Sequence, residues 1–95
     1  MNPDLLQTFR RQILELAAHH GARDVRVFGS LARGEGRADS DLDLLVTLGE
    51  ERSLIDLVEL KLDLESLVHR PVDVVTEQAL SPYLREQVLA EAIPL

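Results

Sequence analysis

The chain contains no cysteine, which excludes a disulfide framework, a thiolate metal site and thiol redox chemistry. Basic charge is scarce. Ten Lys and Arg against seventeen Asp and Glu leave a net charge of -7, opposite to the electrostatic footprint that holds a phosphate backbone, so broad nucleic-acid binding is not expected. No apolar run approaches the roughly 18 residues of a membrane span. The N-terminal stretch sets Asp4, Arg10 and Arg11 inside a helical pattern, so it lacks the apolar region of a signal peptide. The expectation is a soluble, cytoplasmic protein. Linkers, internal repeats and low-complexity segments are also missing, and the 95 residues fall short of one typical domain of about 150. Residues 1–95 are therefore read as a single domain, which excludes a multidomain enzyme. A hydrophobic content of 45% beside 28% charged residues is enough for one core.

Hydrophobic spacing then divides the chain. Asn2 is a candidate N-cap and Pro3 a first helical residue, after which Leu5, Phe9, Ile13, Leu16 and Ala17 recur at helical spacing until Gly21. The short apolar group Val25, Val27, Phe28 reads as a strand ending at Gly29-Ser30, and residues 31–40, with two glycines and alternating charge, read as a turn. From Asp41 to Leu48 the residues alternate: Leu42, Leu44, Val46 and Leu48 share one face, Asp41 and Asp43 the other. Ser53 and Asp56 form a capping box that opens a second helix, apolar on more than one face, which Pro71 stops. Val72, Val74 and Val75 around Asp73 read as a third strand. Ser81-Pro82 opens a last helix, and Ile93-Pro94-Leu95 reads as a short edge strand. The order α-β-β-α-β-α with a closing strand implies an α+β, two-layer α/β architecture, a small mixed sheet with helices packed on one face.

Three constellations can carry chemistry. Gly29 and Gly34 have the glycine spacing of a phosphate-binding P-loop, but Glu35-Gly36 stands where lysine and a hydroxyl residue are required. Gly34-x-Gly36 is no dinucleotide fingerprint either, because residue 39 is Asp. Asp39, Asp41, Asp43 and Glu50 fall at positions 1, 3, 5 and 12 of a calcium-binding EF-hand loop, but Leu44 occupies the place that demands glycine. The third constellation joins Gly29-Ser30 to Asp41-x-Asp43 and to Asp73 on a separate strand. Two carboxylates two residues apart on a strand project from one face and jointly suit Mg2+, a hard cation that prefers oxygen. A two-metal site held by three carboxylates activates an attacking hydroxyl and steadies a leaving pyrophosphate. Gly29 permits close backbone approach to a phosphate, and the Ser30 hydroxyl donates to its oxygens.

Val27-Phe28-Gly29-Ser30-Leu31-Ala32-Arg33-Gly34 followed by Ser40-Asp41-Leu42-Asp43-Leu44-Leu45-Val46 resembles the signature of the DNA polymerase beta-like nucleotidyltransferase superfamily. In particular it resembles the minimal nucleotidyltransferases, the MNT antitoxins paired with HEPN-domain toxins. The resemblance implies a nucleotidyltransferase fold and Mg2+-assisted transfer of a nucleoside monophosphate, AMP from ATP, to a hydroxyl. For the MNT branch that hydroxyl is a tyrosine of the partner toxin. By position, Gly29, Ser30 and Arg33 hold the triphosphate, Asp41 and Asp43 the metals, and Asp73 takes the third-carboxylate role of ligand and base. No residues remain for a fingers, thumb or separate substrate domain, so the acceptor's binding surface comes from elsewhere, in a hetero-oligomer or homo-oligomer. A rival within the same resemblance is a catalytically weak antitoxin that silences its partner by contact.

The remaining polar residues have simpler readings. Arg33 and Arg37 are loop arginines able to meet phosphate. His19, His20 and His69 close helices, where the C-terminal dipole favours them, and none has metal-ligand spacing. Tyr83, the one tyrosine, is expected to pack. Burying three carboxylates near one another without cations would raise at least one pKa and cost stability, so such a cluster signals function.

Overall fold

The computed structural model describes residues 5–35 and 40–95. Helix α1, Leu5–His19, buries Ile13 and Ala17, one turn apart, with Leu5, Leu6, Phe9, Leu14 and Leu16 packed around them. Its expected cap, Asn2 and Pro3, lies outside the described residues. Gly21, at φ 77, turns the chain into strand β1, Ala22–Phe28. A bulge between Arg23 and Arg26, with Asp24 at φ 51, interrupts that strand's pairing. An irregularity of this kind increases local twist.

Strand β2, Leu42–Leu48, shows the expected alternation, with Leu42, Leu44 and Val46 in the core. Asp41 stands one residue ahead of it and is exposed. Helix α2, Leu54–Val68, opens with the capping box: Ser53 Oγ accepts from the Ile55 amide at 3.3 Å, and the Ser53 amide donates to the Asp56 carboxylate at 2.9 Å. That amide, with Arg52, holds the Asp56 carboxyl below the usual carboxylate range. The helix ends at His69, a left-handed cap at φ 56, ahead of Pro71. It carries two apolar stripes. Leu57, Leu60, Leu64 and Val68 are buried, whereas Leu54, Ile55, Val58 and Leu62 are 54–74% exposed.

Strand β3, Val72–Thr76, runs parallel to β2, a pairing that requires a crossover, supplied here by α2. After a single 3-10 turn at Glu77–Ala79, helix α3, Pro82–Glu91, is capped by Ser81, whose Oγ accepts from the Leu84 amide at 3.3 Å. A two-residue strand β4, Ile93–Pro94, closes the sheet in the order β3-β2-β1-β4, with β1 antiparallel to both neighbours. The result is the mixed-sheet α+β architecture expected from the sequence. Helices α1 and α2 pack on the sheet face that carries Val25, Val27, Leu42, Leu44, Val46 and Val72. Val88 is the one buried residue of α3, and it lies outside that cluster. Tyr83 is accordingly not packed: it is 73% exposed, because the first half of α3 reaches no core. Among the described residues no helix is long and apolar enough to cross a membrane.

Three contacts fix the register that matters for the site. The Val72 amide donates to the Glu65 carboxylate at 2.9 Å, which also receives Lys61 at 2.8 Å. The Leu42 amide donates to the Pro71 carbonyl at 3.0 Å, and Arg70 Nη1 donates to the Ser40 carbonyl at 3.1 Å. Together they tie the start of β3 to the start of β2. Leu42 then faces Val72, and Asp43 faces Asp73.

Candidate active site

The site is built where β1 ends and β2 and β3 begin. Phe28 pairs with Asp43, so the turn that follows β1 emerges over the acidic end of β2. Gly29 takes φ 78, in the left-handed region where a side chain is disfavoured, and a Cβ there would overlap Asp43 Oδ2. The backbone angle therefore favours glycine, and the Asp43 carboxylate would have to move to admit a Cβ. The turn is closed by its own backbone: the Arg33 amide donates to the Gly29 carbonyl at 3.2 Å and the Glu35 amide to the Ser30 carbonyl at 2.9 Å. Ser30 is half-buried at its head.

Asp43 and Asp73 are paired residues on adjacent parallel strands, on the sheet face opposite the α1–α2 layer. Neighbouring strands lie about 4.8 Å apart, so two carboxylates so placed repel. Burial pushes the Asp43 carboxyl up, and the charges of Asp73, Asp41 and Glu91 push it further, with Arg33 opposing. Asp43 alone is half-buried, while Asp41 and Asp73 are exposed, because one lies ahead of β2 and the other on the edge strand β3. Arg37, Asp39 and Gly36 lie outside the described residues.

A fourth carboxylate appears that the sequence reading missed. Glu91, the last residue of α3, accepts the Gly29 amide at 2.8 Å and Arg33 Nη1 at 3.2 and 3.3 Å. Arg33 Nε also donates to Glu35 at 3.1 Å, and the two carboxylates, Glu35 first, raise its pKa. The one signal for Glu91 in the sequence is an acid in the last turn of a helix, where the dipole disfavours it.

A second grouping arises elsewhere, from packing rather than from the linear spacing of any histidine. His20, Asp56 and Glu59 each offer a ligand atom, all within 4.8 Å of one another. They meet only because α1 and α2 pack together, so linear spacing hides them. His20 is buried and shares a 2.7 Å hydrogen bond with Asp63, while Asp56 already serves the helix cap. This group is not the aspartate site: Asp56 is twelve residues from Val68, about 18 Å along α2.

Asp41, Asp43 and Asp73 offer hard oxygen ligands, the donor chemistry that suits Mg2+, and their charges gather around Asp43, but their carboxylate oxygens do not converge as the ligand atoms of His20, Asp56 and Glu59 do. A glycine turn, a hydroxyl and an arginine beside such a set suit a triphosphate. Residues 7–95 match the family described as the nucleotidyltransferase domain. The chain belongs to that family and is a nucleotidyltransferase.

A candidate protein adenylyltransferase of Methanocaldococcus jannaschii, MJ0435, is 40% identical over 88 residues, covering 93% of this chain and 95% of its own. The protein adenylyltransferase MntA of Thermococcus cleftensis is 40% identical over 79 residues, covering 83% and 80%. Among solved structures, a minimal nucleotidyltransferase superposes with TM-score 0.87 at 58% identity over 100% of this chain and 97% of that one. A toxin-antitoxin complex with AMP-PNP gives 0.77 at 26% over 88% and 69%. The MNT antitoxin bound to tri-AMPylated HEPN toxin of Shewanella oneidensis gives 0.64 at 25% over 93% and 69%.

Proposed function

We propose that this protein is a minimal nucleotidyltransferase that transfers AMP from ATP to a hydroxyl of a HEPN-type partner and thereby silences it as the antitoxin of the pair. The observation that carries the reading is the register of Asp43 with Asp73 beside the Gly29 turn. Asp41, Asp43 and Asp73 would hold Mg2+, which when bound supplies charge neutralisation at the transferring phosphate and at the leaving pyrophosphate. The Gly29 backbone, the Ser30 hydroxyl and Arg33 hold the triphosphate oxygens. Asp73, exposed on the edge strand, takes the proton of the attacking hydroxyl. The acceptor oxygen bonds to the α-phosphorus, the bond from that phosphorus to the bridging oxygen breaks, and pyrophosphate leaves. The products are the adenylylated partner and pyrophosphate.

Two further observations support a partner as acceptor. The relatives include an antitoxin solved with an AMPylated HEPN toxin. The outer stripe of α2, Leu54, Ile55, Val58 and Leu62, is a contiguous exposed apolar surface, a feature that marks contact sites. The test uses purified protein, its HEPN-type partner, Mg2+ and labelled ATP. Asp41→Asn with Asp43→Asn abolishes labelling, and Asp73→Asn lowers it by roughly 100-fold or more. Undiminished labelling by the double variant would refute the metal assignment.

A further inference from the structure

The geometry points to Glu91 as an internal placeholder for phosphate: its carboxylate holds the Gly29 amide and the Arg33 guanidinium, and an incoming triphosphate displaces it and loosens α3. This rests on the triphosphate seat assigned under the proposed function. Gly29 and Arg33 are both assigned to that seat, and both donate to Glu91, the amide at 2.8 Å and Nη1 at 3.2 and 3.3 Å. A carboxylate is the protein's own nearest equivalent of a phosphate oxygen, an anion that accepts charge-assisted bonds from the same donors. Nothing about α3 itself favours a carboxylate there. Glu91 closes the helix at its negative dipole end, and its charge adds to the repulsion that Asp43 already feels. Its place is explained by the two donors it satisfies.

The helix that carries Glu91 is also held lightly enough to give way. Val88 is the one buried residue of α3, and Tyr83 and Leu84 near its start are exposed at 73% and 48%. Releasing Glu91 therefore strips α3 of a polar anchor without opening the α1–α2 core, to which it contributes no fully buried residue. A nucleotide that must first displace Glu91 binds with an affinity reduced by the fraction of molecules whose seat is free. Removing the charge of Glu91 raises that fraction.

The test compares wild type with Glu91→Gln and with Glu86→Gln, an exposed α3 position that loses the same charge elsewhere. Calorimetric titration with Mg2+-ATP, and separately with inorganic triphosphate, should show about three- to tenfold tighter binding for Glu91→Gln and no comparable change for Glu86→Gln. Hydrogen exchange supplies a readout that a merely structural pin would not move. In wild type, triphosphate should increase exchange of the amides of residues 84–91. In Glu91→Gln those amides should exchange fast already and respond little. Weaker or unchanged binding by Glu91→Gln, or exchange in α3 that triphosphate leaves unaltered in wild type, overturns the inference. Binding of neither ligand to any of the three proteins overturns it together with the triphosphate seat. Tighter binding without any adenylyl transfer to a partner supports the placeholder while removing the proposed activity.

Discussion

At Gly29 two independent demands meet, a left-handed backbone and the nearness of Asp43. Gly29→Ala adds about 1–2 kcal/mol of backbone strain alone, which in a chain of this size lowers the melting temperature by roughly 5–15 °C. Calorimetry on the purified variant should find that loss together with loss of ATP binding. Asp43 makes a prediction of opposite sign. Its pKa is higher folded than unfolded, so the folded state holds the extra proton and stability falls as pH rises from the ordinary carboxylate range through the raised value. The penalty is complete once the pH stands above the raised value. In EDTA at pH 7, Asp43→Asn should melt at or above the wild-type temperature, and the advantage should disappear once the pH drops below the ordinary carboxylate range. A variant less stable than wild type at pH 7 would mean that the Asp43 carboxylate serves the fold rather than a cation site.

Elements were readable wherever the signal was local. The Ser53–Asp56 capping box, the Ser81-Pro82 start and the alternation of β2 all follow from spacing within a few residues, and each is present. Ser53→Ala should cost about 1 kcal/mol, or roughly 4–8 °C in melting temperature. It should leave adenylyl transfer by the folded protein unchanged, because the cap stands at the far end of a 15-residue helix, about 22 Å from where β3 begins. What spacing could not give was anything set by pairing between distant segments. The facing of Asp43 and Asp73 depends on the β2–β3 register, which the contacts of Glu65, Arg70 and Pro71 impose. Glu91 comes 62 residues after Gly29 and in no motif, and His20 meets Asp63 only through helix packing. The bulge at Asp24 and the 3-10 turn at Glu77–Ala79 also carry no local sequence mark that separates them from strand and loop.

The whole molecule measures 41 × 29 × 18 Å and carries a charge of -7, so its surface must serve both an anionic nucleotide and a protein acceptor. Cations reconcile the first. A ligand that binds only the folded state stabilises it by about 2.7 kcal/mol at a hundredfold excess over Kd. Mg2+ should therefore raise the wild-type melting temperature by roughly 10 °C or more, Mg2+-ATP further still, and Asp43→Asn should lose most of the rise. The second requirement falls on the α2 stripe. Val58→Asp with Leu62→Asp, at exposed positions, should change stability by no more than about 0.5 kcal/mol per site yet weaken capture of the HEPN-type partner by light scattering. Unchanged association would place the partner elsewhere. The central claim is the transfer itself, and it is tested most directly by giving the protein, its partner and Mg2+ either α-labelled or γ-labelled ATP. The α-label should appear on the partner with one pyrophosphate released per label, and none with Asp41→Asn and Asp43→Asn. Transfer of the γ-label, or α-labelling that survives loss of both aspartates, would contradict it.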